Sequence, residues 1–288
     1  MKVLVIGSTG QVATALARQA GSHEVIRLGR PQFDLANPTG IADVIGQVAP
    51  DLIINAAAYT AVDKAEDEIE AARALNEAGP AALARSADAR GVPFIHISTD
   101  YVFNGLGGAP YAETDATAPL NVYGQTKADG EQAVLAVNPF ALIVRTSWIY
   151  GPEGNNFVRT MLRLATEGDT LSVVDDQIGR PTEANALAEA LLALGEHLRG
   201  GASGGLLHVA NQSEASWKDL AQASISGAGL STNVAGIPTS AYPTRARRPG
   251  DTRLDLGRAR ADYGITLPEW QVSLERCLEM MGVSGRRA

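Results

Sequence analysis

At 288 residues the chain is long enough for one large α/β domain or two lobes, with ample core. A formal net charge of −8 argues against a broad nucleic-acid surface. The single cysteine, Cys277, excludes an internal disulfide framework and fits a reducing, cytoplasmic setting, and no apolar run is long enough to span a membrane.

The chain opens on a strand, Lys2 to Ile6, so no signal peptide is expected. Gly7-Ser8-Thr9-Gly10-Gln11-Val12-Ala13 follows, and a helix is expected to about Ala20. Glycines at such a strand-to-helix turn let backbone N–H groups approach a pyrophosphate at the helix N-terminus. The spacing is Gly-x-x-Gly-x-x-Ala, not the Gly-x-Gly-x-x-Gly of the best-known dehydrogenases. The second strand, Glu24 to Leu28, ends at Gly29-Arg30 and not at the carboxylate that would bind adenosine ribose hydroxyls. Arg30 is therefore a candidate partner for a 2′-phosphate, which points to NADPH, with NADH as a possible substitute. Asp34 and Leu35 are candidates for the adenine edge.

A helix over 41–48 leads to the strand Leu52 to Asn55 and then to Ala56-Ala57-Ala58-Tyr59-Thr60. Small side chains at a strand's carboxyl end let a cofactor lie against the backbone. Helical patterning runs from Glu66 to Arg90, with an interruption expected at Gly79-Pro80. The apolar run Val92 to Ile97 predicts a buried strand ending at Ser98, and His96 reads as a core or strand residue. Thr99-Asp100-Tyr101 comes next, then a flexible glycine loop at 105–108 and a polar loop to Pro119. Tyr123 and Lys127 are four apart at the start of a helix running to about Val137, so they share a face. An ammonium near the phenol favours phenolate and lowers its pKa, which suits proton transfer near neutral pH. The Thr99 hydroxyl is placed to hold a carbonyl oxygen against that phenol. With the strand Ala141 to Arg145, five strand–helix alternations predict a doubly wound parallel sheet. The second half is less regular. It carries expected helices near 155–167, 184–198, 217–223 and 270–281, strands at 171–174 and 206–210, and a basic stretch, 242–249, suited to a diphosphate. The four histidines show no metal-ligand spacing with one another or with Cys277, and 285–288 is expected to fray.

Several blocks, taken together, resemble the dTDP-4-dehydrorhamnose reductases, extended members of the short-chain dehydrogenase/reductases. They are Gly7 to Val12, Asn55 to Glu66, Ser98 to Phe103, Pro119 to Gly124, Arg145 to Trp148, Gly154 to Phe157, Asp176 to Thr182, and Arg248-Pro249. The resemblance covers nearly the whole chain in the same order. It implies a Rossmann-type doubly wound parallel sheet over 1–147 and a smaller C-terminal substrate-binding lobe over 148–288, with segments returning to the first domain. It implies NADPH-dependent reduction of the C4 ketone of dTDP-4-dehydro-β-L-rhamnose, the last step of dTDP-L-rhamnose synthesis. Tyr123 would protonate the oxygen, Thr99 would polarise the carbonyl, and Lys127 would bind the nicotinamide ribose. Asp100, Tyr101, Trp148 and Arg248 fall on the sugar side. Gly7, Gly10, Gln11, Val12, Asp34, Leu35 and Ala56 to Thr60 fall on the cofactor side.

Some relatives form dimers bridged by magnesium on carboxylates, but the matching positions here hold Ala15, Asn185 and Met280. The expectation is therefore no metal, and a monomer or a metal-independent dimer, unless Glu183 or Glu189 takes over the site. Related dehydratases carry an acid after Thr-Asp, where this chain has Tyr101. An epimerase, a different nucleotide-sugar reductase or dehydratase, and a non-catalytic cofactor-binding subunit remain as alternatives.

Overall fold

The computed structural model describes residues 1–285; part of the segment expected to fray, 286–288, lies outside the described residues. Six parallel strands form the central sheet: β1 (Lys2–Ile6), β2 (Glu24–Leu28), β3 (Leu52–Asn55), β4 (Phe94–Thr99), β5 (Leu142–Thr146) and β6 (Gly205–His208). Their order is β6-β5-β4-β3-β1-β2. The inner strands read as near-continuous apolar runs because both faces of the sheet are covered. On β1, Val3 and Val5 face α1 (Gln11–Arg18) and a long helix at Ala184–Arg199, while Leu4 and Ile6 face helices Ile41–Val48, Gly79–Asp88 and Val122–Val137. Alternate side chains of a strand point to opposite faces, so one apolar run serves two helical layers.

The expected break at Gly79-Pro80 does not occur. The helix of Ile69–Arg73 passes through one wider turn at Ala74–Ala78 directly into Gly79–Asp88. Pro80 sits in the first turn of that last segment, where a missing N–H is tolerated. The wider turn points Asn76 inward, where its amide bonds Tyr59 N–H, Tyr59 C=O and the Thr126 hydroxyl.

Two further apolar clusters lie in the second half of the chain. Helices Phe157–Ala165, Trp217–Gly227 and Trp270–Met280 pack there with the parallel strand pair Thr170–Val174 and Asn233–Ile237. The strand at 233–237 and the helix Gly257–Tyr263 were not legible in the sequence pattern. Both α-helix Ala184–Arg199 and β6 come from the second half of the chain but pack on or in the central sheet. Among the described residues no helix is long and apolar enough to cross a membrane.

Candidate active site

Strand β3 pairs with one edge of β1, and β2, the next strand in sequence, pairs with the other. The chain reverses direction across the sheet here, and ligands of open α/β sheets bind outside the strand ends at such a point. Gly7 ends β1 with φ +121, a conformation open to glycine, and its backbone stands against Ala56 after β3. Gly10 caps α1, so the free N–H groups of that helix open on the same crevice.

A groove of about 470 Å³ runs from this turn across the ends of β4 and β5. It is lined by Gly10, Gln11, Val12, Ala56, Ala57, Ala58 and Thr60 on one side, and by Thr99, Asp100, Tyr123, Lys127 and Trp148 on the other. A second cleft shares Gly10 and Ala56 to Ala58 and continues to Gly7, Arg30, Asp34 and Leu35. The two together form an elongated channel with a helix N-terminus midway, small residues along its floor and an exposed arginine at one end. These features fit a dinucleotide carrying a terminal phosphate.

Three expected site residues stand outside both linings. Tyr59 turns its hydroxyl to Glu68 at 2.6 Å, a bond that raises its pKa to about 12. Tyr101 stands edge-on to Tyr123, with ring centroids 5.8 Å apart. Arg248 lies behind Tyr101, its guanidinium carbon 6.0 Å from that ring, and pairs with Asp63 at 2.7 Å. Its other terminal nitrogen, Nη1, is buried with no partner.

Tyr123 lies in the first turn of the helix Val122–Val137, whose N-terminus is capped by Asn121 accepting from the Gly124 N–H at 2.8 Å. A side chain at position 124 would meet the Tyr101 carbonyl oxygen at 2.2 Å, so Gly124 is what lets this helix approach the turn Asp100–Val102 that follows β4. Thr99 sits at the end of β4; its oxygen accepts from the Tyr101 N–H at 3.2 Å and its hydroxyl donates to Asp100 at 3.1 Å. Asp100 also accepts from the Thr252 hydroxyl at 2.5 Å, and its burial pushes its pKa to about 7.

The expected lowering of the Tyr123 pKa by Lys127 is not found. Burial pushes the phenol up to about 12, against a lowering by the Thr99 hydroxyl. The Lys127 ammonium group turns instead to the strand, donating to the Ile97 carbonyl at 2.6 Å and standing 3.2 Å from His96 Nε2. Helical spacing set the shared face, but the Ile97 carbonyl of the strand decided where the flexible stem ends.

Trp148, at φ +49, stacks on Trp217 with centroids 3.7 Å apart. Trp217 Nε1 donates to Gln177, and a side chain at Gly179 would run into the Trp148 ring at 2.5 Å. The block from Asp176 to Thr182 therefore holds an aromatic wall beside the groove. Sequence reasoning missed Trp217 and Thr252, which carry no spacing signal, and gave no role to Gln177 and Asp63, although both lie in the family-like blocks 176–182 and 55–66.

The three positions expected to lack a metal lie in one region. Ala15 is buried on α1, and Asn185 Nδ2 stands 3.8 Å from Met280 Sδ. Arg18 donates to Asn185 at 3.0 Å and also contacts Glu153. Glu183 caps the helix Ala184–Arg199 and accepts from Asn185 Nδ2 at 2.7 Å, while Glu189 is exposed. Among the described residues no group of three or more His, Cys, Asp or Glu could hold a metal ion.

A parallel sheet with its cofactor groove at the reversal point and a Tyr/Lys helix across it defines an extended short-chain dehydrogenase/reductase. The family described as RmlD substrate binding domain matches residues 1–283. The chain is 43% identical to a dTDP-4-dehydrorhamnose reductase of Sinorhizobium fredii over the whole of both chains. A dTDP-4-dehydrorhamnose reductase of Bacillus anthracis, solved in complex with NADP, superposes with a TM-score of 0.92 at 34% identity, covering 97% of this chain and 100% of that one. UDP-glucose 4-epimerase of Brucella ovis, in complex with NAD, shares the fold at TM-score 0.83 and 20% identity, covering 99% of each chain. The chain belongs to the dTDP-4-dehydrorhamnose reductase family of oxidoreductases.

Proposed function

We propose that this protein reduces the C4 ketone of dTDP-4-dehydro-β-L-rhamnose with NADPH, giving dTDP-β-L-rhamnose. The observation that carries this reading is the convergence of Thr99, Tyr123 and Lys127 on the wall of a groove that also opens on Gly10 and α1. Gly7, Gly10, Gln11, Val12, Ala56, Ala57, Ala58 and Thr60 hold the dinucleotide, with Asp34 and Leu35 at its adenine and Arg30 at its 2′-phosphate. When bound, NADPH supplies the hydride to C4. Tyr123, protonated at neutral pH because burial raises its pKa, gives its proton to the C4 oxygen. Thr99, positioned by the Tyr101 amide, turns its one hydroxyl proton from Asp100 to that oxygen as charge develops on it. Lys127 anchors the nicotinamide ribose. Residues 148–288 contribute mainly the sugar side, through Trp148 and Arg248, with Asp100 and Tyr101 from the first domain. The lone, buried Cys277 supports a cytoplasmic setting.

The test is direct. Purified protein with the keto-sugar and NADPH is expected to oxidise the cofactor and form dTDP-rhamnose. Formation of an epimer or a dehydrated sugar, or cofactor binding with no turnover, would replace this reading by one of its alternatives. Turnover is expected to be the same in excess EDTA and in magnesium, and light scattering to give the same mass in both. A hard cation wants carboxylate oxygens, and here Arg18 and Asn185 stand beside Glu183 and Glu153. Activity lost in EDTA and restored by magnesium would show a metal site.

Arg30 carries a separate expectation. Arg30→Ala should weaken NADPH binding by roughly tenfold or more, the 1.5–3 kcal/mol of a charge-assisted bond, and leave NADH binding nearly unchanged. Titrating both cofactors checks it. An unchanged ratio of the two dissociation constants removes Arg30 from the phosphate site.

A further inference from the structure

Beneath the groove lies a buried polar chain of which the proposed reduction uses only one end, Lys127. Asn55, His96 and Lys127 are each 1% exposed or less. Asn55 ends β3, His96 sits mid-β4, and Lys127 reaches down from the helix Val122–Val137. The Ala57 N–H donates to Asn55 Oδ1 at 3.2 Å, Asn55 Nδ2 faces His96 Nδ1 at 2.9 Å, and His96 Nε2 faces Lys127 Nζ at 3.2 Å.

The donors in this chain have a fixed order. A backbone N–H can only donate, so Ala57 fixes Asn55 with its oxygen towards residue 57 and its NH₂ towards the ring. His96 Nδ1 must then accept. Burial and the nearby Lys127 hold the imidazole neutral, so its one proton is on Nε2. Nε2–H points at Lys127 Nζ, and this contact is a hydrogen bond only if Nζ accepts as an amine. An ammonium there would set donor against donor. Moving the ring proton to Nδ1 would relieve the clash, but Asn55 would have to turn and give up the Ala57 amide.

We propose that Asn55 and His96 are positioning residues for Lys127, which fix its Nζ beneath the groove and, by keeping the ring proton on Nε2, favour its amine over its ammonium. The other groups around Lys127 do not cancel this. Tyr123 and Glu131 share its helix. Glu131 favours the ammonium but is paired with Arg145 of β5 at 2.6 Å, and burial outweighs it to bring Lys127 down to about 8. Asp100, beyond the end of β4, is itself raised to about 7. The pair thereby sets the pH at which Lys127 carries charge beside the groove, and it links that charge to the Ala57 backbone on the groove floor.

The inference rests on Lys127 belonging to the reductase site, and its test uses no turnover, so the two readings fail separately. The chain has four lysines, Lys2, Lys64, Lys127 and Lys218. In full-length protein labelled at lysine Cε, the Lys127 signal can be assigned with Lys127→Arg and titrated by NMR. In His96→Gln, the amide oxygen can accept from an ammonium, so Lys127 is expected to titrate about one pH unit higher, a tenfold gain in proton affinity. In wild-type protein with ¹⁵N-labelled imidazoles, the His96 proton is expected on Nε2 at neutral pH, a measurement that needs no variant. A Lys127 midpoint unmoved in a folded His96→Gln, or a wild-type proton on Nδ1, overturns the proposal.

Discussion

Tyr123→Phe is expected to lower kcat by about 10²–10⁴-fold, the usual cost of removing a positioned acid, while NADPH still binds. Both halves follow from geometry. The hydroxyl is the one group of Tyr123 that can supply a proton, and burial keeps it protonated, with a pKa of about 12, throughout the neutral range. The ring itself packs edge-on against Tyr101, and Phe preserves that contact. The glycine turn and the alanine floor, proposed above to hold the dinucleotide, belong to other strands. Single-turnover rates with the keto-sugar, alongside a cofactor titration, separate the two effects. Near wild-type turnover in the variant would mean that another group protonates the product oxygen. Thr99 would then be the first candidate, since its hydroxyl already bonds Asp100.

The largest stability effect is expected at Glu131, which is no part of the groove lining. Glu131→Ala should cost about 3–5 kcal/mol, because removing one partner of a buried pair leaves the other charge uncompensated. Arg145 is 2% exposed and meets Glu131 through two bonds, Nε at 2.9 Å and Nη2 at 2.6 Å. Ser98 donates to the same carboxylate at 2.5 Å, and the guanidinium lies 5.1 Å from the Phe103 ring centre. In the variant Arg145 keeps only the aromatic face and a long contact of 3.5 Å with His208. Urea unfolding of the single variant, and of a Glu131→Leu/Arg145→Met double variant, is the measurement. The double variant should lose less than the single one, since it buries no unpaired charge. A single variant within about 1 kcal/mol of wild type, the range of an exposed pair, would mean that water reaches Arg145.

Strands 24–28 and 52–55 and helix 41–48 have the bounds that the pattern predicted. Their signals are local: short apolar runs closed by turn residues. The break expected at Gly79-Pro80 failed because propensity acts on one turn, whereas burial of Asn76 and its three bonds stabilises a continuous, locally widened helix. The strand at 233–237 was invisible because it pairs with 170–174, more than fifty residues away, along a partly exposed edge.

The sequence by itself determined the first five strands of the sheet, the glycine turn after β1, and the shared face of Tyr123 and Lys127, while β6 joined the sheet only in the fold. Each is encoded in neighbouring residues, through a period of two, a period of three to four, or a backbone that only glycine permits. Only the tertiary structure decided which distant side chains meet. It brought Asp63 to Arg248, Thr252 to Asp100, Glu131 to Arg145 and Trp217 to Trp148. It also turned Lys127 away from the phenol and towards His96. The physical reason is that a buried polar group takes whichever partner the packing of distant segments leaves within hydrogen-bond reach, and spacing along the chain does not specify that partner.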